Sequence, residues 1–195
     1  MNADWIQTLK QLQNDKDYQK AVKDTVAKEF EKIKTKYILQ FEEHPITQEI
    51  LAAMQDINAP NSSGTLGGIT NLYSFIGFDK GTDPISPIRN LLEKSNYRIL
   101  NSTLGAESTV IFDIPTPKDI FDITPMPWAT GRSWARGIET GISGLGYYIK
   151  QIRNSRSGLG VQSQKPIRSG ARFKNTKYIS DLINKFNNDL KNLDK

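Results

Sequence analysis

A chain of 195 residues with 37% hydrophobic side chains and a mean hydropathy of -0.52 can bury one modest core and must leave much of its surface polar or give it to a partner. It has no Cys and one His, His44, which excludes disulfides, thiol nucleophiles, cysteine-bound zinc and multi-histidine metal centres, so no cofactor is expected. The formal net charge of +5 is unevenly spread: residues 1–44 balance, residues 45–130 carry 5 basic against 9 acidic side chains, and residues 131–195 carry 13 against 4.

Trp5, Ile6, Leu9 and Leu12 suggest a short first helix, broken at Asn14 and Asp15. This start lacks the basic and apolar stretches of a signal peptide, and no apolar run approaches the ~18 residues of a membrane span, so a soluble chain made in the cytoplasm is expected. From Tyr18 the apolar positions Val22, Val26, Phe30, Ile33, Tyr37 and Phe41 recur every three or four residues. That pattern predicts one long amphipathic helix from about Lys16 to Glu43, roughly 40 Å long at 1.5 Å per residue. Its stripe is either core or a seam between subunits. Read as a seam, with Trp134 added, it assigns an oligomer interface to Phe30, Ile33, Tyr37 and Trp134, and residues 1–44 form a helical arm on a core of residues 45–195.

His44-Pro45 ends the long helix, because the residue before Pro is biased away from the helical region. Thr47 then reads as the cap of a short helix over about Gln48 to Gln55. The Gly-rich stretch Asn61 to Gly68 is turn chemistry and matches neither G-x-x-x-x-G-K-[ST] nor G-x-G-x-x-G, so a nucleotide cradle is not expected. A short helix is predicted near Ile88 to Lys94. Tyr97, Ile99 and Asn101 alternate in one strand and Val110, Phe112 and Ile114 in the next, joined through Leu104 to Glu107 as a hairpin. Ile120 to Ile123 reads as a short strand between prolines. Trp134 and Ile138 have helical spacing, with Thr130 or Gly131 as a start and Gly141 as a stop. Leu145 to Ile149 and Leu159 to Gln162 read as strands around a basic loop. Tyr178, Leu182, Ile183, Phe186, Leu190 and Leu193 stripe a final helix over about Lys177 to Asn192. The fold class is therefore α+β: long N-terminal and C-terminal helices packed on a small, mostly antiparallel sheet, with an extended basic hairpin or arm at about 150–172.

Candidate chemistry is sparse. His44 beside Glu42 and Glu43 has the makings of a general base, but a helix-end imidazole explains it equally well. Ser62, Ser63, Ser155 and Ser157 lack a context that would activate them, and Asp113, Asp119 and Asp122 match no calcium loop. Residues 131–180 hold ten basic side chains and one acid, Glu139. Such a segment can track phosphates, dock on an acidic protein surface or stay solvated. Trp128, Trp134, Tyr147, Tyr148 and Phe173, interleaved with Arg132, Arg136, Arg153, Arg156, Arg168 and Arg172, suit a protein interface or single-stranded nucleic acid, with core aromatics and solvated arginines as the plain alternative.

His44-Pro45-Ile46-Thr47, Ser63-Gly64-Thr65-Leu66-Gly67-Gly68, Asn71-Leu72-Tyr73-Ser74-Phe75-Ile76-Gly77-Phe78, Gly131-Arg132-Ser133-Trp134 and Ser155-Arg156-Ser157-Gly158 together resemble virion proteins of tailed bacteriophages. The order of elements is similar to that of head-tail connector and tail-completion proteins of the neck. The resemblance implies a non-enzymatic protein of the virion neck or tail, assembled into a six- or twelve-fold ring that holds neighbouring neck and tail proteins while genomic DNA crosses its channel, with no membrane partner. It makes Arg153, Arg156, Lys165, Arg168 and Arg172 the partner-binding or DNA-channel residues. A tail terminator, a baseplate component and a non-specific nucleic-acid-binding protein are the rival expectations.

Overall fold

The computed structural model describes residues 11, 15–54, 72–79, 81–101, 108–141, 148–151, 160–162 and 176–194; the predicted first helix, the Asn61–Gly68 stretch and the arginine-bearing loop lie outside them. The long helix is α1, Lys16–Glu42, started by the Asp15 carboxylate, which accepts the Asp17 and Tyr18 N–H groups at 2.7 and 3.3 Å. Its stripe has two fates. Tyr18 is 41% exposed, whereas Phe30, Tyr37 and Phe41 are buried.

The chain itself covers them. Phe30 lies against Tyr97 and Phe112, ring centroids 5.1 and 5.8 Å away, Tyr37 stacks on Phe186 at 4.8 Å and Phe41 on Tyr178 at 6.1 Å. Ile33 is partly buried against the same core. Trp134 is 1% exposed, edge-on to Phe78 at 5.7 Å. The expected subunit seam at Phe30, Tyr37 and Trp134 is therefore corrected to core, because a side chain already enclosed by its own chain has no area left for a second one, whereas Ile33 keeps part of its surface exposed. The second half of α1 belongs to the core as well, and the arm shortens to its largely exposed first half.

Helix α2, Pro45–Met54, begins two residues before the expected cap. Pro45 takes the first helical position, where its missing N–H costs nothing, and His44 is the cap: its carbonyl accepts Gln48 N–H at 2.9 Å and its Nδ1 accepts Ile46 N–H at 3.2 Å. Thr47 is instead buried, with its hydroxyl 2.8 Å from that of Tyr178. Helix α3, Leu72–Ile76, starts on the buried Glu49 carboxylate, which accepts Leu72 N–H at 3.1 Å. Its last carbonyl accepts the Trp128 indole N–H at 2.7 Å. Gly77 follows at φ +90°, and a Cβ there would lie 2.9 Å from the Trp128 ring, so both backbone and space require glycine. Asp83 caps α4, Ser86–Glu93, through Ile85 and Ser86 N–H at 3.0 and 2.9 Å. An Arg89–Glu42 ion pair ties α4 to α1.

Strands β1, Asn96–Asn101, and β2, Ser108–Asp113, form the expected hairpin, with Tyr97 opposite Phe112 and Ile99 opposite Val110. The predicted strand at Ile120–Ile123 is corrected to helix α5, Pro117–Asp122. Thr116 and Asp119 form a reciprocal capping box, Thr116 N–H to Asp119 at 2.8 Å and Asp119 N–H to Thr116 at 3.3 Å, with Pro117 at the first position. Strands β3, Pro125–Met126, and β4, Ala129–Ser133, pair antiparallel and lead into α6, Trp134–Thr140. Ser133 caps α6 through Arg136 N–H at 3.0 Å, while Thr130 and Gly131, the expected starts, are in β4. Gly141, at φ +96°, closes α6 as expected.

Strands β5, Tyr148–Gln151, and β6, Gly160–Gln162, also pair antiparallel. Helix α7, Ile179–Lys191, buries Leu182, Ile183, Phe186 and Leu190 on the predicted face and packs along α1. There Asp189 accepts Lys36 Nζ at 2.6 Å and the Tyr37 hydroxyl at 2.8 Å. Those two bonds hold its carboxyl below the usual range, and burial with the Asp189 bond pushes the Tyr37 phenol well up. The fold is α+β, and among the described residues the antiparallel pairing is divided among three separate two-stranded ladders.

Candidate functional site

The cationic stretch of the sequence is mounted on a small clamp. Residues 142–175 carry Lys150, Arg153, Arg156, Lys165, Arg168, Arg172 and Lys174, and no acid. The chain leaves the core at Gly141 and returns at Thr176, whose N–H donates to the Ile138 carbonyl at 3.1 Å. Next to that bond the Glu139 carboxylate accepts Ser180 N–H at 2.6 Å and the Ser180 hydroxyl at 2.5 Å. Tyr178 gives α7 no side-chain cap, so Glu139 supplies the acceptor from another helix, at the end where the helix dipole favours a negative charge. Exit and return are thus pinned within one hydrogen-bonded pair of segments, and the 34 residues of sequence between them are termed the limb. The β5–β6 pairing lies inside it.

Aromatic packing stiffens the root. Tyr178 is buried between Phe41, His44 and Trp134, with ring centroids at 6.1, 4.7 and 6.3 Å. Burial pushes its phenol well above the usual range, so it stays a neutral hydrogen-bonding group paired with Thr47. Replacing Glu139 by Ala should strip two charge-assisted bonds from the start of α7 and cost about 1.5–3 kcal/mol. Urea denaturation with an unchanged m-value measures this, and Gln, which keeps an acceptor oxygen, should recover part of the loss.

Beside the root lies an open groove of about 680 Å³, lined by Phe121, Met126, Arg132, Ser133, Arg136 and Gly137 among others. Arg136 is exposed, and Thr140 and Gly141, which precede residue 142 in the chain, also line the groove. Arg132 and Arg136 give the groove its cationic side chains. The structure brings Arg132 and Arg136 together on the groove; Arg153, Arg156, Lys165, Arg168 and Arg172 lie outside the described residues.

The candidate chemical groups have other employment. His44 Nδ1 is engaged by Ile46 N–H, and Glu42 by Arg89. Asp119 is held by the Thr116 cap and Asp122 by Lys118 at 2.6 Å. Trp128 and Trp134, proposed above for an interface, fasten α3 and fill the core. Among the described residues no group of three His, Asp or Glu side chains is placed to hold a metal, and no helix is long and apolar enough to cross a membrane. Glu139 was visible as the lone acid of residues 131–180; its bond to Ser180, 41 residues away in sequence, was not. No protein-family model, curated protein or solved structure matches the chain.

Proposed function

We propose that the protein is a structural, non-catalytic virion component of a tailed phage, assembled as a ring at the neck, with the basic limb as its contact to neighbouring subunits or neck proteins. The observation that supports this reading is the clamp: a stretch with seven cations and no anion leaves and re-enters the core at one point. A body that holds a charged limb by its root suits a brace between neighbours better than a catalyst. The resemblance in element order adds the neck as the setting. Light scattering coupled to size exclusion, followed by negative-stain microscopy, tests it. A closed ring, six- or twelve-fold, formed alone or with a neck partner is expected. A monomer under all these conditions overturns it.

The same cations favour one rival, a non-specific nucleic-acid binder. Phosphate binding releases counterions with a log-log salt slope near -0.9 per contacted phosphate, so four engaged arginines give a slope beyond about -3.5. Protein docking predicts a shallower, partner-specific dependence. Tight salt-steep binding of duplex DNA near physiological salt would select the rival.

A further inference from the structure

His44, the chain's only histidine, sits where three segments meet: the end of α1, the start of α2 and the stretch leading into α7. Its Nδ1 accepts Ile46 N–H at 3.2 Å and its carbonyl accepts Gln48 N–H at 2.9 Å, so side chain and backbone both cap α2. With the Nδ1 lone pair used this way, the neutral ring carries its proton on Nε2. The ring also feels the Lys177 backbone, which favours its protonated form; Lys177 follows Thr176, where the limb re-enters the core. Its face lies against Tyr178, centroids 4.7 Å apart at 45°.

We propose that His44 is a proton-operated latch on α2: neutral, it holds the first turn of α2 through the Ile46 N–H, and protonated, it releases that N–H and loosens the turn, while its interaction with the Lys177 backbone, which favours the proton, is kept. An imidazolium has donors on both nitrogens, so Nδ1–H would face Ile46 N–H with no acceptor between them. It would also set a positive charge at the positive end of the α2 dipole, although the negative end of α1 partly compensates.

The surrounding charges are nearly balanced. On its own segment are Glu42, engaged by Arg89, and the exposed Glu43. From α7 come Asp181 and Lys185, which pair with each other at 2.8 Å and act on the ring with opposite sign. The Lys177 side chain is exposed, and the Tyr178 hydroxyl is held by Thr47 from α2. Burial is what decides, and it lowers the His44 pKa below its ordinary 6.5, against the Lys177 bond and Asp181. The unfolded chain then binds the proton more readily than the folded one. The latch is fully closed above pH 6.5 and its contribution falls as pH drops below that value.

The test uses the intact protein. A single histidine gives one imidazole titration by NMR, and hydrogen exchange of residues 45–50, with 176–180 as the internal comparison, is followed from pH 7.5 to 5, corrected for the intrinsic rate. Protection of residues 45–50 should fall in step with the His44 titration, at a midpoint below 6.5, while that of 176–180 stays level. His44→Asn keeps a capping acceptor that does not titrate and should hold protection level across this range. His44→Ala should lose about fivefold in protection of the α2 turn at neutral pH. Wild-type protection that stays unchanged through the His44 titration overturns the latch, as does an equal acid loss in His44→Asn.

Discussion

Replacing residues 142–175 by a linker of about six Gly and Ser residues should leave a folded, cooperatively melting core. The core already holds the two ends together through Thr176 and Ile138 and through Ser180 and Glu139, so the linker has little distance to span. Shortening a 34-residue loop to about six residues lowers its closure cost by about 1.5 kcal/mol, which offsets what the β5–β6 pairing contributes. The charge effect is far larger. Removing seven positive charges turns the formal net charge of +5 into -2, so the shortened protein should move from a cation to an anion exchanger at neutral pH. Its association with whatever the limb grips should be lost, and reversal of Arg153, Arg156, Arg168 and Arg172 to Glu in the full chain should reproduce that loss with the core intact. A shortened chain that no longer melts cooperatively would show that the limb is part of the core.

Periodicity made the terminal helices and the first hairpin legible, because each presents one apolar face at a fixed interval and has no competing pattern. Tyr18 to Phe41 gave α1, Tyr178 to Leu190 gave α7, and Val110 with Phe112 gave the strand opposite Tyr97 and Ile99. The errors occurred where capping chemistry outweighed short apolar runs. Ile120 to Ile123 is apolar enough for a strand, but Thr116-Pro117-Lys118-Asp119 closes a capping box and turns the run into a helix. At His44 the imidazole took the capping role that Thr47 was expected to fill, which freed Thr47 to meet Tyr178 across the core. Links such as Glu49 to Leu72 and Glu139 to Ser180 join residues 23 and 41 positions apart. Nothing local encodes such pairs. The clamp at the root of the limb was invisible for that reason, although the limb's charge was plain.

Phe30→Ala should be among the most destabilising single changes in the protein, and Tyr18→Asp among the mildest, although both residues belong to one stripe. Phe30 has no exposed surface and is held between Tyr97 and Phe112, so truncation removes two ring contacts and leaves a cavity that the hairpin can only partly close. The usual cost is about 3–5 kcal/mol, a large share of the roughly 5–15 kcal/mol that stabilises a domain. Phe30→Asp and Tyr37→Asp add an unpaired buried carboxylate and should prevent folding altogether. Tyr18 lies three turns earlier on α1 and is 41% exposed, so Asp there should change stability by about 0.5 kcal/mol or less. Thermal melts separate the two classes directly. On the inner half of α1, Phe30, Tyr37 and Phe41 are already covered by the chain's own hairpin, α7 and Tyr178, and Leu39, 49% exposed, is the large apolar side chain left outside; on the outer half it is Tyr18. If the ring forms through the outer half of α1, Tyr18→Asp should dissolve it while the monomer melts as the wild type does, and a ring that survives the substitution would move the subunit contact elsewhere, to the limb or to Leu39.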